Sequence, residues 1–552
     1  MNEQTSAAQP EIALKQAMDL HRDGRADEAA AAYRSLLPGH AKAPDIHYLL
    51  GTLAFQQEDW KTSEAEFRAA LSLRPGYVLA LNNLGMALWR QGRLKDAETA
   101  FRATYSLDNG FGEAIYNLGC LLQAGGDSIG AEVQFRLALP LMPRSAEVHN
   151  NLGACLVAAG RINDAKTCFI NALTLRHDHA EAVNNLGHVH QLLGDDDKAL
   201  QSFDYALMLR PDYVDAIVNK GTVLAKLDKV DEAAQCFRRA LALSPGHLVA
   251  TARLRQALGK VVPAWHFPMM NDAFRNQAYE RAIRKAVGPE MRVLDIGTGA
   301  GLLAMMSARA GAKAVTSCEM VTVVADKARE IVERNGFADR VTVIGKKSND
   351  VVIGKDMPAP ADVLVSEILS SDLLGEGVLP AMEDARGRLV KAGGRIIPSA
   401  GAVCAFLAGG DDLELRTFAH EAAGFDISPF NEFSPLRFSI RRGNYPYSRY
   451  SDDLDIFDFD FAGAPYFPAE TRQIAVTVTE TGRCQGVVQW IRLQLEDEVF
   501  ENHPDLPNPA SGWAHMFHAF PESVSLTKGQ TVWLVAEHDR TSVHIYLDRI
   551  ES

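Results

Sequence analysis

No cysteine pair, no long apolar run and no basic excess appears in the 552 residues, and each absence narrows the possibilities. The seven cysteines are scattered, odd in number and without a CxxC spacing, so neither a disulfide framework nor a thiolate metal site is expected. They read as reduced thiols of a cytoplasmic protein, with no metal. No run of 18 apolar residues occurs, which excludes an expected helical membrane span. The opening MNEQTSAAQPE is polar and has no apolar core of the secretory type. The formal charge is −14, so the clustered Lys and Arg that nucleic-acid phosphates require are missing and no nucleic-acid partner is expected. That acidity suits attraction of basic proteins, and equally simple solubility. What is present is ample apolar material, 47% of residues, in a chain too long for one ordinary domain.

The first half keeps a strict period. Gly51, Gly85, Gly119, Gly153, Gly187 and Gly221 each follow the last by 34 residues. Ala97, Ala131, Ala165, Ala199 and Ala233 hold a second phase, and Phe67, Phe101, Phe135, Phe169, Phe203 and Phe237 a third. Pro75, Pro143, Pro211 and Pro245 close several units, and Ala29 and Tyr33 fit an earlier, weaker one. Small residues belong where two helices approach closely, Phe is expected to fill the gap to the next pair, and Pro ends the second helix. The pattern resembles the tetratricopeptide repeat, which implies about seven helix pairs over residues 10–255 stacked into an all-α superhelix. Asn83, Asn117, Asn151, Asn185 and Asn219 share one position, two residues before the glycine. A row of amides, each both donor and acceptor, can grip an extended peptide, as in the asparagine ladder of the O-linked GlcNAc transferase repeats that it resembles. It can also only bridge neighbouring repeats.

After Pro245 the period stops. RVLDIGTGAGLLAM runs from an apolar strand into a glycine turn (Gly297, Gly299, Gly301) and an apolar helix, with Asp295 inside the motif. Glycine permits a sharp turn and close backbone approach to a ligand. A second apolar run ends in Glu319, 22 residues past Gly297, where an acid can accept both ribose hydroxyls. GxGxG with its acidic follower resembles motif I of class I methyltransferases, which implies S-adenosyl-L-methionine rather than a nicotinamide dinucleotide. RVTVIGK then leads to Lys347, Ser348 and Asn349, and the resemblance places adenine recognition at Ser348 and Asn349. ADVLVSE continues the alternation, giving an α/β, Rossmann-like, doubly wound sheet over residues 262–396.

The loop SEILSSDLLGEGVLP carries Glu367 and Glu376, nine residues apart, beside the expected methyl donor. Two acids in a loop are ordinarily solvated, but here a carboxylate pair can clamp a guanidinium by bidentate bonds. The loop resembles the double-glutamate loop of protein arginine methyltransferases, most like their seven/nine branch, one member of which also carries N-terminal tetratricopeptide repeats. The likeness covers residues 264–552. By it, HFPMMNDAFRNQAYERAI is the capping helix: His266 and Arg275 contact the cofactor, Arg275 through its carboxylate, Met269 walls the arginine pocket and Asp272 sits beside the active site. The same apolar side chains would also suit simple packing. It further implies a mostly-β barrel domain over 397–552, built from runs such as RQIAVTVTE, GVVQWIRLQL, QTVWLVAEH and SVHIYLD, a dimerisation arm within 408–455, and a homodimer.

One departure stands out. Ser511, Gly512 and Trp513 occupy the place of the family's Thr-His-Trp loop, so glycine replaces the histidine, with His515 or His518 as candidate substitutes. Three readings follow: a protein arginine methyltransferase whose substrate is bound in the repeat groove, a methyltransferase of another acceptor such as a ribosomal-protein amine or a small molecule, and a repeat scaffold that holds cofactor without turnover.

Overall fold

The helix-pair rhythm of the sequence is realised residue by residue in the computed structural model, which describes residues 3–38, 43–262, 266–441, 446–506 and 512–551. Ser511 of the glycine-for-histidine loop lies outside the described residues. The chain divides into two units, Met1–Leu254 and Arg255–Ser552.

The first unit is all helical, from Glu3–Arg22 through Val230–Leu243, with Leu248–Val261 following. Its period has a steric cause. A Cβ built on Gly85, Gly119 or Gly153 would stand 2.6 Å from the ring of Phe101, Phe135 or Phe169. Each Phe of the 34-residue phase therefore lies against the glycine of its own pair, and all six rings are fully buried. Phe67 also shares a core cluster with Ala80 and Leu84 of the following helix, so the ring serves its own pair as well as the gap to the next. The helices Trp60–Leu73, Asp196–Leu209 and Val230–Leu243 end two residues before Pro75, Pro211 and Pro245.

In the second unit, strands Arg292–Ile296 (β1), Ala314–Cys318 (β2), Val341–Ile344 (β3), Ala361–Ser366 (β4) and Val390–Ile397 (β5) form one parallel sheet in the order β3-β2-β1-β4-β5. The order reverses at β1, so the carboxyl ends of β1 and β4 open a crevice of the kind that receives ligands in doubly wound sheets. β1 and β4 are buried along most of their length, as a parallel sheet covered on both faces requires.

Ala400–Gly409 (β6) then starts an antiparallel region. A seven-stranded sheet centres on β6 and Gly482–Leu495, and a three-stranded sheet joins Glu470–Thr477, Thr531–His538 and Val543–Glu551. The mostly-β domain is thus present, with its pairing split between two sheets rather than running round one closed ring among the described residues. Between β6 and Arg437–Ile440 lie the helix Asp411–Thr417 and the turn Ser428–Phe433, which leave Leu415, Phe425, Phe430, Phe433 and Leu436 exposed.

Candidate methyl-donor and acceptor clefts

The glycine turn after β1 shows why glycine is needed there. Gly297, Gly299 and Gly301 all have positive φ (86°, 51° and 80°). A Cβ on Gly297 would lie 2.5 Å from Ile368, whereas one on Gly299 would meet nothing within 4 Å, so Gly299 presents bare backbone to the cleft. Glu319, just past β2, accepts from Gly299 N at 3.1 Å and Val321 N at 2.9 Å, which fixes its carboxylate at the cleft wall. Asp295 sits behind the turn, fully buried. Ser317 Oγ donates to it at 2.6 Å and in turn meets Thr298 Oγ1 at 2.6 Å. Asp295 is absent from the cleft wall and lies beneath the glycine loop. Burial pushes its carboxyl up to about 7, against the pull of the Ser317 hydroxyl.

The cleft itself measures about 480 Å³, within the range of small-molecule sites. Its walls bring together His266, Met269, Arg275, Gly297, Gly299, Glu319, Ser348, Asn349, Glu367 and Glu376, which come from six separate stretches of sequence, whereas Gly301 caps the following helix outside the wall. Thr298, Met320, Ile368 and Lys346 also line it, and sequence reasoning missed them. Apolar or generic residues in loops carry no motif of their own; adjacency to the glycine turn, Glu319, Glu367 and Lys347 was the available signal.

The expected capping helix is broken into His266–Met270 and Ala273–Ala286. Asp272 stands between them, fully buried, and its carboxylate accepts from Arg275 N at 3.0 Å as the cap of the second helix. It lines neither cleft, and its influence on the site is electrostatic: its charge helps to raise the Glu367 carboxyl. Arg275 does reach the cleft, where Nη1 lies 3.0 Å from Glu367 Oε2, both side chains being about 5% exposed or less. Arg275 Nη1 and Glu367 Oε1 are buried without a regular hydrogen-bond partner. Burial pushes Glu367 up to about 8 despite the Arg275 guanidinium. Glu376 opens to solvent at the mouth. Desolvation, with Glu319 and then Asp372 as like-charged neighbours, raises its carboxyl to about 7.

A second cleft, of about 430 Å³, adjoins the first and shares Met269, Gly375 and Glu376 with it. Its far wall includes Asp372, Arg441, Gly512, Trp513 and Met516. Trp513 Nε1 donates to Leu369 O at 2.7 Å and Ala514 N to Ser371 Oγ at 3.0 Å, which ties this loop to the glutamate loop. A Cβ on Gly512 would stand 2.7 Å from Met269 Cα and 2.9 Å from Met269 N. Backbone meets backbone there, so any side chain at 512, histidine included, would displace the loop. Neither candidate substitute fills the role. His515 Nε2 is within 2.8 Å of Asn502 O, and His518 is buried between Gln489 and Ile545 N, its imidazole driven down to about 3 by desolvation. Neither lines a cleft.

In the first unit, the asparagine row interlocks. Asn117 Nδ2 donates to Asn82 Oδ1 (3.1 Å), Asn185 to Asn150 (3.0 Å) and Asn219 to Asn184 (3.0 Å), while Asn83 and Asn151 donate to Tyr48 and Tyr116 hydroxyls at 3.3 and 3.1 Å. Each amide bridges to the preceding repeat, Asn151 through a second bond to Cys120 Sγ at 3.4 Å as well.

Comparison with known proteins agrees with both halves. The tetratricopeptide repeat family matches residues 14–77, 48–110, 151–214 and 194–247, and the ribosomal protein L11 methyltransferase (PrmA) family matches residues 277–401. An arginine N(omega)-methyltransferase of Streptomyces achromogenes subsp. streptozoticus is 37% identical over 275 residues, covering 50% of this chain and 75% of that protein. Protein arginine N-methyltransferase 7 of Aedes aegypti is 31% identical over 336 residues, and the chain spans 47% of its length. A Trypanosoma brucei PRMT1 enzyme-prozyme complex with AdoHcy aligns over 52% of this chain and 94% of its own, at 20% identity and a TM-score of 0.46. By the breadth and identity of the Streptomyces match, the chain belongs to the arginine N-methyltransferase family.

Proposed function

We propose that the protein transfers a methyl group from S-adenosyl-L-methionine to a guanidinium nitrogen of arginine in protein substrates that its repeats recruit. The observation that carries this is the placement of Glu367 and Glu376 on the wall of the nucleoside cleft, with Glu376 also facing the second cleft. The cleft chemistry fits the cofactor: a carboxylate for ribose hydroxyls at Glu319, bare backbone at Gly299, a polar turn at Ser348 and Asn349, and a buried guanidinium, Arg275, on the cleft wall to attract a carboxylate. When bound, the cofactor supplies an electrophilic methyl on a sulfonium.

The residues supply placement. Glu367 and Glu376 hold the planar guanidinium, Met269 packs beside it, and Arg275 keeps Glu367 oriented. A guanidinium pKa above about 12 makes deprotonation before attack unfavourable, so orientation supplies most of the rate. A carboxyl poised near 8, as at Glu367, suits acceptance of the proton shed after transfer.

Recruitment by the repeats is supported by the asparagine row and by Glu113, Glu181 and Asp215. These exposed carboxylates stand one helical turn before Asn117, Asn185 and Asn219 and favour a basic segment. The apolar residues exposed at 415–436 support a homodimer, and cysteines without a disulfide support a cytoplasmic setting. No helix among the described residues is long and apolar enough to cross a membrane.

The test is methyl transfer from tritiated S-adenosylmethionine to an arginine- and glycine-rich peptide and to a lysate, with the labelled residue identified after acid hydrolysis. Label in methylarginine is the expected result. Label in lysine or a small molecule moves the function to another acceptor, and cofactor binding with no label moves it to a scaffold.

A further inference from the structure

One side chain outside both clefts fixes the turn that faces the nucleoside end of the first. Ser348–Asp350 forms a short 3-10 turn whose Ser348 and Asn349 line the cleft. Arg388, in the π-helical turn Ala385–Leu389 just before β5, donates from Nη2 to Ser348 O at 2.9 Å and to Asn349 O at 2.6 Å, and from Nη1 to Val351 O. The same guanidinium is braced by Asp384, with Nε to Oδ1 at 2.7 Å and Nη2 to Oδ2 at 2.7 Å. Asp384 ends the helix Val378–Asp384, which starts directly after Glu376 and Gly377. Arg388 itself is not part of the cleft wall.

The geometry has a consequence for recognition. In a trans peptide the C=O and the N–H point to opposite sides. Holding the Ser348 carbonyl at Arg388 therefore sets the N–H of Asn349 on the other side, and holding the Asn349 carbonyl fixes the peptide that follows. A guanidinium can do this for three carbonyls at once because its donors form a rigid planar fork, which an ammonium lacks. A π-turn so close to a ligand wall also fits the tendency of such turns to appear at functional sites.

We propose that Arg388, braced by Asp384, is a positioning residue for purine recognition: it sets the Ser348–Asn349 turn at which the base is read, without touching the ligand. This rests on the cofactor reading above. Hypoxanthine replaces the exocyclic amine donor of adenine with an acceptor and protonates the neighbouring ring nitrogen, so a correctly set turn distinguishes the two bases and a loosened one does so less.

The test is calorimetric and uses the full-length protein without turnover. Dissociation constants are measured for S-adenosyl-L-homocysteine and for its inosine counterpart. Arg388→Met is expected to weaken the adenosine ligand by about 10–100-fold, the order of one lost hydrogen bond to a charged group. The inosine ligand should weaken less, so the preference between them collapses. Arg388→Lys should fall between Met and wild type, since it keeps the charge beside Asp384 but not the fork. Should Arg388→Met fail to fold, Asp384→Asn, which removes the brace, is put through the same comparison and should also reduce the preference. A preference unchanged in the folded variants, whether both ligands bind as before or both weaken equally, overturns the inference and leaves Arg388 a purely structural residue. A wild-type protein that binds neither nucleoside overturns the cofactor reading itself, and this inference falls with it.

Discussion

Glu367 and Arg275 share a buried ion pair on the wall of the first cleft. Glu367 therefore has two duties, holding Arg275 and receiving the acceptor, whereas Glu376 at the mouth has the acceptor alone. Glu367→Gln and Glu376→Gln are each expected to lower kcat on an arginine peptide by a hundredfold or more, of the order seen when one preorganised group for transition-state charge is removed. The affinity for S-adenosylhomocysteine should stay near wild type in Glu376→Gln, because Arg275, Glu319 and the glycine turn remain as they are. Steady-state kinetics beside calorimetry separates the two quantities, and a parallel loss of nucleoside affinity in that variant would remove the clamp assignment. Motif spacing pointed to Glu319 and the glycines because each follows a strand end, where the doubly wound sheet delivers side chains to one edge, and the position of the loop after β4 and its family resemblance pointed to Glu367 and Glu376. The roles of Asp295 and Asp272 were not legible in that way. A buried acid under a loop and an acid capping a helix have the same letter in the sequence as one facing a ligand. Whether an acid faces in or out depends on Ser317 and on the break at Met270.

Among the elements, the helix pair has the plainest rule. Gly153 has no room for a methyl against Phe169, while Gly160, at φ 74°, has open space but a left-handed backbone. Gly153→Ala should cost about 1–3 kcal/mol through overpacking. Gly160→Ala should cost about 1–2 kcal/mol through backbone strain, with no steric clash. Denaturant unfolding of the full chain, followed by helical circular dichroism, measures both; a neutral Gly153→Ala would contradict the packing account. The asparagine row gives a second expectation. Replacing Asn151 and Asn185 together with Ala removes bridges to Tyr116 and Asn150 and should raise the KM for a protein substrate while leaving transfer to a short free peptide unaltered. An equal change in both would make the row purely structural. The 34-residue period was legible because the glycine–phenylalanine contact recurs within a span of 16 residues. The break in the capping helix was not, since Asp272 competes with the apolar pattern on either side of it, and the Gly512 contact with Met269 joins positions far apart in the chain.

For the whole molecule, charge burial couples folding to pH. Asp295 and Glu367 are fully enclosed, with carboxyls pushed up to about 7 and about 8. Their unfolded values are about 4, so over the interval between, the folded chain binds more protons than the unfolded one. Their contribution to stability is complete below pH ~4 and is lost as pH rises through 7 to 8. The melting temperature of the protein without ligand should therefore fall between pH 7 and 9, and fall less in Glu367→Gln. Scanning calorimetry across that interval checks it, and a rising melting temperature would contradict the burial of these acids. Activity should run the other way, with kcat/KM for peptide increasing over the same interval as the clamp ionises.

Met269, Gly375 and Glu376 face both clefts at once. Donor and acceptor are then separated by the thickness of a shared rim and not by a wall of protein. A single compound carrying an adenosine at one end and a guanidine at the other, joined by a tether of a few atoms, could occupy both chambers together. Such a ligand pays the entropy of association once for two sets of contacts.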